Sequence, residues 1–273
     1  MFQMAQQKRK SGLVFGMAEL IYHSVVRNIR KGHRNALIAI LQEMMQAILF
    51  VVAFYVMFSV LGLRGSALRG NFILFIMSGI FLFLTHTKAL SAVVGSEGPT
   101  SAMMKHAPMN TMIAISAAAL SSLYVQVLSM VTIFFIYHVV VEPIEIENPA
   151  GAFGMFLLAW FSGVSIGMVF LALKPWFPGF VKILTSIYSR ANMIASGKMF
   201  VANTMPGFLL AMFDWNPLFH CIDQTRDFAF INYSTNVSNW VYPIVVSVVL
   251  IMVGLMGEFY TRKNASASWF QGR

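Results

Sequence analysis

One cysteine, Cys221, occurs in 273 residues, so the chain forms no internal disulfide, and no Cys/His group has the spacing of zinc ligands. Charge is scarce too: Asp, Glu, Lys and Arg make up 11% of the residues, against about 25% in soluble domains. No phosphate-binding loop is present; the nearest string, Ser196-Gly197-Lys198, continues with Met199 and has no upstream glycine at the required spacing. A G-x-S-x-G elbow, an H-E-x-x-H zinc motif and a carboxylate pair placed for acid–base work are missing as well. These absences exclude ATP hydrolysis by this chain alone, leave no metal or cofactor to expect within it, and give little support to an intramembrane enzyme.

What is present is apolar. Hydrophobic residues reach 58% and the mean hydropathy is +0.71, which makes lipid the principal solvent. Apolar runs recur to the far end of the chain, so they are not one cleavable signal peptide. The hydropathy pattern predicts an all-α polytopic membrane protein with six transmembrane helices near 36–63, 72–94, 112–141, 152–173, 181–201 and 241–260. Residues 1–35 form a cytoplasmic N-terminus, 36–261 the membrane domain and 262–273 a cytoplasmic tail. Within the domain, 205–231 is too broken by Asp214, Asn216, Pro217, Asp223, Arg226 and Asp227 to cross lipid, since each exposed charge at mid-bilayer costs about 3 kcal/mol. That segment is expected to lie at one surface or to re-enter. With the N-terminus inside, Lys and Arg collect on the inner side, and only Arg64, Arg69 and Arg226 fall outside, where Glu142, Glu145, Glu147, Asp214, Asp223 and Asp227 gather. Both termini are therefore expected to be cytoplasmic. The net charge of +9 does not point to nucleic acid, because the aromatics sit inside apolar runs rather than among the basic residues.

Several segments carry more than hydropathy. Before the first span, Val14, Met17, Ile21, Val25 and Ile29 repeat on one helical face and His23, Arg27, Arg30 and Arg34 on another. This predicts an N-terminal amphipathic interface helix, either anchored at the headgroups or offered to a cytoplasmic partner. Between spans two and three, breakers at Gly95 to Pro99 and at Pro108 bracket a helix-sized piece in an inner loop 95–110, which suits a plain connector or a lever. Span five is the least apolar. Thr185, Ser189, Asn192 and Ser196 follow 4, 3, 4 spacing and form one polar stripe, fitting either helix contacts or a water-filled path. Arg190 and Lys198 lie off that stripe, and Arg190, too deep to snorkel, is a candidate contact for an anionic cargo. Glu43 interrupts the start of span one, where hydration, pairing with a base and capping of the bundle all fit. After Met205-Pro206-Gly207 a short helix begins, and Asn216-Pro217 reads as the capped start of a second. In that second helix Leu218, Phe219, Ile222 and Ala229 face one way and Asp223, Gln224, Arg226 and Asp227 another, so a surface-lying amphipathic helix is expected.

The order of these parts resembles the membrane (permease) subunits of type-2 ABC exporters, in particular bacterial permeases for capsular polysaccharide or O-antigen. The inner loop ending Pro108-Met-Asn-Thr111 is similar, and the stretch from Trp215 to Ala229 resembles the family's W-N-P-L-x-H followed by an acidic residue and an arginine. The first span, Leu37-Ile-Ala-Ile-Leu-Gln-Glu43, departs from the family by lacking a proline. The resemblance implies a homodimer in the bacterial inner membrane, bound to two copies of a separate ABC ATPase subunit that holds ATP and Mg. It implies a coupling helix in 97–105, with Glu97, Pro99, Ser101, Met104 and Lys105 facing the ATPase. It also implies two short periplasmic gate helices within 205–239, at 206–213 and 216–231, carrying Pro206, Trp215, Asn216, Pro217, His220, Asp223 and Arg226. Thr185, Tyr188, Ser189, Arg190, Asn192 and Ser196 are then candidates for the translocation path of a lipid-linked glycan, handed on to periplasmic or outer-membrane export proteins. Two alternatives stay open: the same architecture exporting a lipid, drug or other small molecule, and a membrane scaffold or intramembrane enzyme with no ATPase partner.

Overall fold

The structure, a computed structural model, describes residues 10–31, 36–62, 71–98 and 110–264. Among these it is all α: α1 (Lys10–Lys31), α2 (Ala36–Val60), α3 (Phe72–Val94), α4 (Thr111–Val140), α5 (Pro149–Leu173), α6 (Pro178–Ala195), α7 (Gly207–Phe213), α8 (Pro217–Ala229) and α9 (Val241–Asn264). Local chemistry sets the starts. Asn71, Asn110, Asn148 and Asn216 each accept a backbone N–H of the first turn, and prolines follow at Pro149 and Pro217.

Among the described residues five helices are long and apolar enough to cross a membrane: Ile40–Val60 within α2, then α3, α4, α5 and α9, and the chain is a multi-pass membrane protein. The sixth expected span, α6, does not join them. It has 18 residues, carries Lys182 and Arg190, and stops at Ala195 rather than at 201. Gly197 follows at φ +69, a left-handed turn that glycine makes at no steric cost. Ser196 and Lys198 therefore lie beyond the helix, and the polar stripe loses its last member.

The centre of the bundle is α3, buried along most of its length, with α5 running parallel to it. Close approach needs Gly163 and Gly167: a Cβ on Gly163 would run into the His86 carbonyl, and one on Gly167 would come within 3.0 Å of the Leu90 carbonyl oxygen. Against the other side of α5 packs α9, where Gly254 meets Met168 and Gly257 meets Ala172. Calling the end where α3 and α5 begin the upper end, α2 and α4 rise toward it and α9 descends from it. The Phe58 ring meets Phe72 edge-on at 5.5 Å at the top, and Asn71 donates to the Tyr137 hydroxyl at 2.9 Å. At the lower end Lys174 donates to the Val94 carbonyl, and the Trp176 indole donates to Thr261. The amphipathic α1 packs along α4 with Ser24 buried and Phe15, Tyr22 and His23 exposed. The start of α2 and the end of α9 thus share the lower end.

Candidate functional site

Two polar regions stand out, one at the lower end and one high in the bundle. At the lower end the carboxylate of Glu43 is paired: Lys88 donates to it at 2.8 Å and Gln126 at 3.2 Å, tying α2, α3 and α4 together. Of the three fates open to Glu43 in the sequence, the structure shows pairing. A cleft of about 420 Å³ opens over this pair, bounded by Asn28, Gln42 and Ser122; a neighbouring one of about 240 Å³ is lined by Arg27, Glu97 and Ser121. Glu97 is half-buried there. The other coupling candidates, Pro99, Ser101, Met104 and Lys105, lie outside the described residues.

Higher up, α8 departs from expectation. It does not lie on a surface; it stands inside the bundle against α3 and α5, and every residue from Pro217 to Arg226 is buried. Its base is deep, where Asn216 Nδ2 donates to Asn192 Oδ1 at 2.7 Å and to the Ala195 carbonyl at 2.9 Å. Its top meets the start of α5, where the Asn148 N–H donates to the Phe228 carbonyl at 2.9 Å. The polar face avoids solvent because protein groups satisfy it. The Arg226 guanidinium donates to the carbonyls of Gly197, Lys198 and Phe200 at 2.5–3.2 Å and lies 4.1 Å from the centre of the Phe75 ring. Asp223 accepts from the Tyr233 and Thr235 hydroxyls, and burial together with the Asp223 charge pushes the Tyr233 phenol up from its ordinary pKa. His220 takes the Asn239 N–H on Nδ1, so its proton sits on Nε2, which donates to the Asp214 carbonyl at 2.7 Å. The two short helices begin where the sequence placed them, at Gly207 behind Pro206 and at Pro217 behind Asn216. Trp215 is 63% exposed, and its carbonyl accepts the Tyr242 hydroxyl.

The candidate path residues divide between two faces of α6. Thr185 and Ser189 turn their hydroxyls onto their own helix, bonding the carbonyls of Val181 and Thr185. Tyr188 reaches His86 Nε2 at 2.9 Å, while His86 Nδ1 donates to the Ala159 carbonyl and contacts Ser162. Asn192 and Ser196 are buried, and only Arg190 of the six is exposed. Lys182 and Ser186, not singled out in the sequence, are exposed on the same side of α6 as Arg190. Their spacing of four was the available signal. Lys198 is neither near a surface nor snorkelling. It is 3% exposed, its ammonium 3.4 Å from the centre of the Phe83 ring and 5.1 and 5.5 Å from those of Phe54 and Phe50, with no hydrogen-bond acceptor among the described residues.

No family model matches the chain. Two curated proteins of Escherichia coli, both named polysialic acid transport protein KpsM, are similar to it. One is 23% identical over 199 residues, covering 71% of this chain and 75% of the relative, and the other is 22% identical over the same shares. Together with the five apolar helices, this similarity bears out the resemblance read from the order of parts: the chain resembles the membrane permease subunit of an ABC exporter of the capsular-polysaccharide kind.

Proposed function

We propose that this chain is the membrane subunit of an ATP-driven exporter that moves a lipid-linked polysaccharide outward across a bacterial inner membrane. The observation that carries the reading is the similarity, over 71% of the chain, to proteins named for polysialic acid transport. Six crossings complete the domain, with α6 as the fifth and both termini on the cytoplasmic side, at the lower end of the bundle. The subunit works as a homodimer, because a single copy covers α6 on one side only and a twofold-related copy encloses the other. Two copies of a separate ABC ATPase supply the energy. They engage the loop 95–110 and α1, next to the clefts lined by Glu97, Arg27 and Lys88. At the opposite end α7 and α8 serve as the periplasmic gate, and Asn216, His220, Asp223 and Arg226 hold its shape rather than touch sugar, since all four are buried and each is already hydrogen-bonded to protein partners. ATP binding closes the motor, presses on the inner loop, shifts α3 and α4, and frees the gate through α8.

Purification from native membranes, with mass spectrometry of bound proteins and lipids, tests this. A co-purifying ABC ATPase and a lipid-linked glycan are expected. A preparation that moves its cargo with no nucleotide-hydrolysing companion would overturn the proposal.

A further inference from the structure

Most of the polar chemistry on the bundle side of α6 is spent within the protomer, on the helix's own carbonyls, on His86 and on Asn216. The opposite side is uncovered and carries Lys182, Ser186 and Arg190 beside the exposed Ile183 and Ile187. Eight residues of helix put the two cations about 12 Å apart along the axis. Tyr188, bonded to His86 well inside α3, fixes Arg190 within the bundle's height rather than at its rim. An arginine facing hydrocarbon there costs about 3 kcal/mol even on the lenient scale. Nothing among the described residues offsets that cost: α6 bears no carboxylate, and neither cation has an ion-pair partner there. Of the carboxylates inside the bundle, Glu43 is engaged with Lys88 and Asp223 with Tyr233 and Thr235, while Glu258, buried on α9 with its Oε1 unpartnered among the described residues, pairs with neither cation.

Resting on the homodimeric exporter reading, we propose that Arg190 and Lys182 are the residues that recognise the charge of an anionic glycan cargo. Twofold symmetry doubles every group on the enclosed face, so the path presents two copies of each cation and none of the opposite sign from α6. A cleft lined by one sign of charge concentrates the opposite sign. Arg190 also offers a planar fork that fits a carboxylate or phosphate oxygen pair, whereas Lys182 acts as a point charge. A neutral polymer leaves these four cations uncompensated.

The test uses the complete complex of this chain with its ATPase in lipid nanodiscs, with two probes: an oligomer of sialic acid and the same oligomer with its carboxyls reduced to alcohols. The anionic oligomer is expected to stimulate ATP hydrolysis and the reduced one not, and the stimulation weakens as salt rises. Arg190→Gln and Lys182→Gln are each expected to raise the half-stimulating concentration about tenfold, the scale of one charge-assisted hydrogen bond, with Arg190→Lys recovering most of the loss. Stimulation by both oligomers alike, by neither, or equally in wild type and both glutamine variants overturns the inference and leaves the exporter reading standing. Failure of the wild-type chain to assemble with any ATPase sinks that reading, and the inference with it.

Discussion

Lys198 carries its ammonium into a ring of Phe50, Phe54 and Phe83, where no acceptor meets it among the described residues. Attraction to ring faces contributes about 2 kcal/mol when desolvated, while taking an ion out of water costs several. The cost is the larger quantity. Lys198→Met is therefore expected to raise the thermal midpoint of the detergent-solubilised protein, and a fall would mean that the rings hold the cation more strongly than this balance allows. Arg226 is the opposite case, because its charge is met by three carbonyls. A lysine there supplies one point charge in place of a planar fork, so Arg226→Lys should lower stability by roughly 2 kcal/mol, read by the same melting assay. Both residues were visible in the sequence as ionisable groups in an apolar chain. Their partners were not, since ring faces on α2 and α3 and carbonyls 26–29 residues away leave no mark in local spacing.

Helix α8 shows why periodicity locates an element without saying what surrounds it. The 3.6-residue repeat correctly divided Leu218, Phe219 and Ile222 from Asp223 and Arg226, and the cap at Asn216 set its start. A polar face implies water only when the protein offers nothing else. Here the loop after α6 and the segment before α9 supply the carbonyls and hydroxyls, so α8 is buried on both faces. The same loop explains the early stop of α6: Arg226 holds Gly197, Lys198 and Phe200 in a turn that hydropathy read as a continuing span. The contact between α3 and α5 was also hidden, because it depends on atoms that glycine lacks. Gly163→Ala is expected to destabilise the bundle by forcing α5 off His86. Gly154→Ala, in the same helix but facing open space, should stabilise it by up to about 1 kcal/mol through helix propensity. Melting curves for the two variants should move in opposite directions, and a parallel shift would show that α3 and α5 are not limited by backbone approach.

For the molecule as a whole, the parity of crossings decides how work and cargo are arranged. Among the described residues five helices satisfy length and apolarity, and α6, about 27 Å long at 1.5 Å per residue, falls short of the roughly 30 Å hydrocarbon core. Five crossings would put the chain ends on opposite sides of the membrane. Yet α1, the start of α2 and the end of α9 share one end of the bundle, which requires the chain to return between α5 and α9. The shortfall is made up by α8, whose base meets the top of α6 and whose top meets the start of α5. On the proposed six crossings, a short helix and a re-entrant one cross together as a relay. Cysteine labelling in intact and opened cells checks this, and Cys221, 0% exposed, should stay silent as background. Gln7→Cys and Ser268→Cys are expected to react only after the cells are opened, and Glu145→Cys in intact cells. If the two end positions label from opposite sides, α6 does not cross, Arg190 never faces a path through the membrane, and the motor and the gate lose the two sides on which they have to act.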